Sequence, residues 1–467
     1  MKNTQRFHFV LATMSCISSS SLLAADGNLV EDFGNNGIAQ AGITDAYTGE
    51  TGGPIVLADG SIVYCSTRAT AGPSGRDFVV LRLTPDGQPD DTFNFSGRVD
   101  IDFNGDDDEC TGIVVQPDGK IVLVGSTVQS DNTSNFAVAR LNANGSLDPD
   151  FGSGTGKQVI TWDAYDSSGN HAQAVALQSD GSIVVAGGIL PNFQRDFAVA
   201  RLLSDGSYDT TFNLTGRQRI AFDLAADADD EAYSVAIDAS GRILLGGYAE
   251  NVNAPPQNED FALARLLPNG QLDANFDADG LVTVAFDVGG AGGSNDDRAN
   301  ALIIQDDGKI VLAGIADVSG TSTANQDFAL VRLLANGAPD NSFGSAGRAL
   351  ASFDRVPAGA DVARAVVQQD NGNLLVAGYA VTVADSTGAD IAMLRLRPDG
   401  TRDPGFGNVG KLTIDFGRTN PGLQIATGVA LSGSQILVGG GIVPSAGGVD
   451  VFVAALQNDT LFANGFE

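Results

Sequence analysis

The densest set of oxygen ligands in the chain is residues 102–109, DFNGDDDE, in which Asp102, Asn104, Asp106 and Asp108 alternate as the donors of a calcium loop do. Two positions depart from such a loop: Asp107 stands where a sixth-position glycine is expected, and Ile113 where a twelfth-position glutamate is expected. A Ca²⁺ site on these four residues and a solvated acidic rim therefore both remain open. Further acids occur at comparable places, in the run 223–231 and at Asp163, Asp166, Asp287, Asp296, Asp297, Asp354 and Asp361. Paired carboxylates among them would suit a hydrolase or lyase, which needs only the right separation of two acids. Histidine chemistry has one candidate after the first 25 residues, His171, read as a surface histidine ahead of a hairpin rather than a triad member. Glycine pairs such as Gly187-Gly188 end strands and open no helix, so no phosphate loop is implied.

The whole chain is acidic, with a formal net charge of −31 over 467 residues. Nucleic acid and anionic membrane surfaces need clustered Lys and Arg, so both are excluded as charge-held partners, and cations or basic partners are favoured. Residues 1–25 differ from the rest: Lys2 and Arg6, a short apolar run from Phe7 to Ile17, serines, and small residues at Leu23-Ala24-Ala25. This is the pattern of a secretory leader, and it predicts a secreted, periplasmic or cell-surface protein. Thr-Met-Ser ahead of Cys16 makes a poor acylation signal, and no later stretch has the roughly 20 apolar residues of a membrane span.

What must position any site is a repeat. Seven hairpins start near Ile55, Thr111, Ala172, Tyr233, Ala301, Ala365 and Thr427, most of them around an Asp-Gly or Asn-Gly turn such as Asp118-Gly119. Glycine there accepts the positive φ of a tight turn, which makes this the strongest short-range hairpin signal. A third strand follows each, headed by Asp77, Asn135, Asp196, Asp260, Asp327, Asp390 or Asp450, at spacings of 58 to 67 residues. After it come a second Gly turn, an Asp-x-x-Phe segment such as Asp148 to Phe151, and a fourth strand such as Lys157 to Trp162. Trp162, the only tryptophan, stands where other units have Phe and is read as core. Four strands per unit at a period near sixty predict an all-β fold, a seven-bladed β-propeller over 26–457 with four antiparallel strands per blade.

The first fourth strand lies at the wrong end of the chain, at Ile38 to Ile43, while the last third strand, Asp450 to Leu456, has none after it. Pairing the two would close the ring and remove two open sheet edges. Six units also carry an Arg near the end of the third strand and the Asp of Asp-x-x-Phe: Arg82 and Asp90, Arg140 and Asp148, Arg201 and Asp209, Arg265 and Asp273, Arg332 and Asp340, Arg395 and Asp403. In the unit built from both chain ends, Ala455 and Val30 replace both together. Joint loss is what a buried ion pair predicts, because removing one partner costs several kcal/mol and replacing both need not.

The segments DFAVARL, LDPDFG and VQPDGKIVLVG resemble the delta-60 repeat of exported bacterial proteins, over Asp26 to about Leu456. The resemblance implies the propeller fold and export, and assigns no activity to any residue. Departures fall at residues 52–60 and 432–434 and at Val451 and Ala455. The tail, 458–467, ends in LFANGFE, which resembles a short ending of many exported gammaproteobacterial proteins; a sorting tag and a decayed Asp-x-x-Phe are equally open.

Strand direction puts the uniform Gly turns on one face of such a disc and the variable, acidic loops on the other. Variable loops on a rigid scaffold are where binding is usually placed. Cys65 and Cys110 fall at strand ends in adjacent units on that variable face, which makes a disulfide geometrically reasonable in an oxidising compartment, against two separate buried thiols. The sequence thus points to a monomeric binding or scaffold module for a protein or glycan ligand, Ca²⁺-assisted or not, more than to an enzyme. An extracellular carboxylate-dependent hydrolase or lyase and a cell-surface adhesion protein are the alternatives.

Overall fold

The computed structural model describes residues 27–458 apart from 41–51, 70–74, 104–106, 131, 163–168, 192–193, 223, 225–227, 252–257, 287, 289–294, 320–324, 354, 357–358, 384–387, 417–421 and 444–449. The leader at 1–25, Asn104, Asp106 and all of the tail beyond Asn458 lie outside the described residues. Among the described residues, 28 β-strands form five four-stranded sheets and one eight-stranded sheet. The larger sheet consists of two four-strand sets joined by a single parallel bridge, Ala389 to Leu423. No helix of the described residues is long and apolar enough to cross a membrane.

Six of the seven sets run in chain order from an inner strand to an outer one; in the seventh the outer strand is Ile38–Gln40, the first in the chain. The inner strands are Gly52–Val56, Asp108–Val115, His171–Leu177, Asp230–Ile237, Asp297–Ile304, Asp361–Gln368 and Leu423–Ser432. Second and third strands, such as Ile243–Glu250 and Glu259–Leu266, are covered on both faces and are almost continuously apolar. Outer strands are only three or four residues long, and several carry polar residues, as in Lys157–Ile160 and Arg217–Ile220, which blunts an edge otherwise open to pairing.

Six of the seven inner strands start three or four residues earlier than the hairpin pattern predicts, and His171–Leu177 starts one earlier, for a local reason. Each contains a register shift: between Cys110 and Gly112, Ala172 and Ala174, Ala232 and Ser234, Ala299 and Ala301, Ala363 and Ala365, Ala426 and Gly428, and across Gly52 to Ile55. A bulge breaks the two-residue alternation, so the leading part of each strand does not read as strand.

Adjacent units lock through their repeated residues. Phe212, fully buried, packs on the turn glycine of the next unit: a Cβ at Gly270, where φ is +89°, would sit 3.0 Å from its ring. Only glycine satisfies both that φ and that approach. Asn213 N donates to Asn269 O of the same turn at 2.8 Å, and equivalent bonds join Asn94 to Asn144, Gly152 to Asp205 and Gly344 to Asp399.

The N-terminal segment makes the same contacts at both of its sides. Ile38–Gln40 pairs antiparallel with residues 452–454 of the last strand, Asp450–Gln457. Gly34 N donates to Asp86 O at 2.7 Å, and Phe33 lies 2.9 Å from the Cβ position of Gly87 in the first unit. On the other side, the Cβ position of Gly27 is 3.4 Å from Phe406.

Candidate functional site

The six Arg/Asp positions form contacts of 2.6–2.9 Å within their units, from Arg140 to Asp148 at 2.6 Å to Arg265 to Asp273 at 2.9 Å. Each guanidinium also covers the Phe of its Asp-x-x-Phe segment, 4.2–4.9 Å from the ring centre. Five of them reach across to the next unit as well, donating to the carbonyls of Ala143, Ser204, Pro268, Ala335 and Pro398 just ahead of its Gly turn. One arginine therefore ties three groups, and its role is to join units rather than to do chemistry. At the seventh position Val30 N donates to Ala455 O at 2.9 Å, as Asp148 N does to Arg140 O, and both side chains belong to one apolar cluster.

At the opposite end of the sheets, Asp77, Asp102 and Asp108 place carboxylate oxygens within 4.8 Å of one another. Asp77 is the second residue of a third strand, Asp102 directly follows a fourth, and Asp108 opens the inner strand of the next unit, so the cluster straddles a junction. Asp108 is fully buried and Asp77 nearly so; one oxygen of each, Oδ1 in both, has no hydrogen-bond partner among the described residues. Asp108 Oδ2 accepts from Phe103 N at 2.7 Å. Burial pushes the Asp108 carboxyl up to about 7, against the pull of the Phe103 amide and the Thr127 hydroxyl, and burial with Asp102 and Asp100 nearby raises Asp77.

The linear set read from sequence is thus divided. Asp102 and Asp108 come together, Asn104 and Asp106 lie outside the described residues, and Asp77 joins from 25 positions upstream. Asp107 and Glu109 face the other way, onto Arg76. Asp77 was legible only as one of seven strand heads. The signal that singles it out is a comparison of units: positions 77, 102 and 108 are all acidic, whereas their counterparts are Asn135, Thr161 and Asn170, or Asp196, Ala221 and Asp230, or Asp390, Asp415 and Gln424. The Asp108 position itself has a framework duty, since Phe222 N donates to Asp230 and Phe286 N to Asp297 in the same way.

Beside this cluster Cys65 and Cys110 form a disulfide with Cα atoms 6.2 Å apart. Both cysteines are fully buried and lie inside strands, Ile62–Ala69 and Asp108–Val115, rather than at strand ends, because those strands extend further than the sequence pattern suggests. His171 opens a strand, and it is not a plain surface residue: Nε2 contacts Glu231 Oε1, and Arg195 Nη1 lies 3.1 Å from Nδ1. Glu231 is buried; burial raises its carboxyl, but His171 and Arg195 outweigh that and hold it below the usual range. Trp162 is buried edge-on against Phe136, its ring centre 5.4 Å away.

Six stretches of the chain, 57–93, 116–151, 178–212, 239–276, 305–343 and 369–406, match the family described as a domain of unknown function (DUF5122) beta-propeller. Each runs from the inner hairpin turn to the Phe of Asp-x-x-Phe. This is a β-propeller repeat protein. No curated protein sequence matches the chain. Among solved structures the propeller is similar to the polysaccharide lyase Uly1, at 12% identity over 95% of this chain and 94% of that one, with a TM-score of 0.48. It is also similar to the beta-propeller domain of the Trilobed protease from Pyrococcus furiosus, at 11% identity over 91% and 99%, TM-score 0.42. A third similarity is to the GH93 alpha-L-arabinofuranosidase of Fusarium graminearum, at 10% identity over 77% and 97%, TM-score 0.44. Similarities this distant speak to neither substrate nor mechanism.

Proposed function

We propose that the chain is an exported seven-bladed propeller, sealed by its own N-terminal strand, that works as a binding or scaffold module through its acidic loop-bearing face. In this reading Ca²⁺, held by Asp77, Asp102 and Asp108, pins the junction between the first two blades. The observation that carries the reading is that cluster. Three carboxylates whose oxygens are no more than 4.8 Å apart match twice a Ca–O distance of about 2.4 Å. Two buried oxygens without partners among the described residues are an unfavourable arrangement that a cation converts into a favourable one. Closure is supported by the contacts of Phe33 and Gly34 with the first unit and of Gly27 with Phe406, which repeat the contacts between internal units. Export is supported by the composition of 1–25 and by the Cys65–Cys110 disulfide, a bond that persists in oxidising compartments.

The test is calorimetry of the full chain in millimolar CaCl₂ and in EDTA, with an Asp108→Asn variant beside it. A ligand that binds only the folded state must raise the melting temperature. The wild type is expected to melt higher in Ca²⁺, and the variant to lose that difference. Identical melting curves in the two buffers would remove the cation from the proposal.

A further inference from the structure

The inner strands enclose a cavity of about 690 Å³ to which all seven contribute. Its polar lining follows a rule. The residue skipped at the register shift of each inner strand is Thr111, Gln173, Tyr233, Asn300, Arg364 or Thr427, and every one of them lines the cavity. In the first unit the corresponding segment, Gly53-Pro54, contributes no polar side chain. The bulge re-aims one side chain per strand toward the axis, a device found beside binding sites.

The flanking residues are small throughout, from Cys110 and Gly112 to Ala299 and Ala301, while the bulged residue is different in almost every unit. Framework positions of this repeat behave in the opposite way: the turn Gly and the Phe of Asp-x-x-Phe are uniform. A position that every unit presents to one cavity, yet almost every unit fills differently, fits an asymmetric ligand better than a packing role.

The chemistry of the lining narrows that ligand. The chain has 57 acidic residues against 26 basic ones, yet among the described residues the cavity lining holds no Asp or Glu and one cation, Arg364. The neutral members are held in place from behind. Glu231 accepts from Gln173 Nε2 and from Tyr233 OH, both at 3.4 Å, while Arg195 and His171 contact the same carboxylate. Asn300 Nδ2 donates to Ala363 O at 2.7 Å, and Thr111 Oγ1 to Ala172 O at 2.8 Å. The bonds from Gln173 and Asn300 each use one N–H of the amide and orient the group, whose carbonyl oxygen is an acceptor for ligand hydroxyls. Tyr233 adds an aromatic ring. The volume lies within the usual range of small-molecule sites.

We propose that this cavity is a binding site for a small hydroxylated carboxylate, the chemical type of a sugar acid, with Arg364 on the carboxylate and the amides of Gln173 and Asn300 on the hydroxyls. Glu231 is a positioning residue for Gln173 and Tyr233. The site is separate from the Asp77, Asp102 and Asp108 cluster, so its test stands whether or not Ca²⁺ binds.

Titration calorimetry on the full chain with glucuronate, glucose and acetate separates the two kinds of contact. Glucuronate is expected to bind, with glucose and acetate at least about tenfold weaker because each lacks one half of the recognition. Arg364→Gln is expected to weaken glucuronate at least about tenfold, since a charge-assisted bidentate contact is lost. Arg397→Gln, an exposed arginine at a Gly turn outside the cavity lining, changes net charge equally and is expected to leave binding as in the wild type. If Arg364→Gln does not fold, Asn300→Ala serves in its place, with a loss of glucuronate binding expected. Failure of the wild type to bind glucuronate at tens of millimolar, equal binding of all three probes, or unchanged binding in the cavity variants overturns the proposal.

Discussion

The tie between units is best tested by breaking it one partner at a time at Arg332 and Asp340. Arg332 Nε lies 2.8 Å from Asp340 Oδ2, Nη1 donates to Pro398 O in the next unit, and both side chains are more than nine-tenths buried. Arg332→Ala leaves the Asp340 carboxylate with Lys309, 3.6 Å away, as its nearest cation, and the cost of such an unmatched buried charge is about 3–5 kcal/mol. Asp340→Val strands the guanidinium at a similar cost and also removes the acceptor of Ser342 N and Oγ. The double variant reproduces the pairing that the chain already uses at Ala455 and Val30. It carries no unmatched charge and loses chiefly the bonds to Pro398 O and Ser342 N, about 1–1.5 kcal/mol each. The double is therefore expected to be no worse than either single, with a coupling of about 3 kcal/mol between the sites, at the top of the range for residues in contact. Urea midpoints of the four proteins at matched slopes supply the cycle. Additivity within about 0.5 kcal/mol would refute the reading of these residues as one unit.

Acid should act on the same ties. Burial raises Asp340, but the Ser342 hydroxyl and amide and the Arg332 guanidinium outweigh it and bring the carboxyl down to about 2; Asp90, Asp148, Asp209 and Asp273 shift in the same direction. A depressed carboxyl contributes stability that is complete above its unfolded value near 4 and is lost as pH falls through its folded value, about 2 kcal/mol for Asp340. The stability gap between wild type and Asp340→Asn in urea is expected to narrow between about pH 4 and about pH 2, and a gap constant over that window would count against the account. Removing residues 1–40 should leave the last strand, Asp450–Gln457, with an open apolar edge where Ile38–Gln40 had paired. Size-exclusion chromatography with light scattering is expected to show dimers or aggregates of the truncated chain; a well-behaved monomer with unchanged melting would show that the N-terminal strand seals nothing.

The framework was legible because it is repeated, and a residue that recurs at one offset in successive units announces its own importance. The Gly turns, the Asp-x-x-Phe segments and the Arg/Asp positions were all read this way, and so was the pairing of Ile38 with the last strand. The cavity ring was not, because its members share a position and not a type. Thr111, Gln173, Tyr233, Asn300 and Arg364 have nothing in common until the strand bulge is seen to aim each one inward, and that bulge also blurs the alternation by which the strand would be recognised. Asp77 was hidden differently, since it looks like every other strand head and becomes part of a cluster only through the packing of its strand against the next unit.

The same contrast accounts for the apolar residues at the closure proposed above. Within an internal unit the pair forms between neighbours in sequence, so Arg265 meets Asp273 only eight residues away and neither waits buried and unmatched. In the closed ring proposed above, the last blade joins segments more than 400 residues apart, from Val30 to Ala455. The loop-closure cost of that joining grows only slowly with length, but the contact must await the chain between. An arginine at 455 would face a desolvating site with no partner in every partly closed state, a penalty of several kcal/mol at the step on which closure depends. Alanine and valine incur no such penalty. The backbone bond from Val30 to Ala455, the strand pairing at Ile38–Gln40 and the Phe33 contact with Gly87 are then enough to hold the seam.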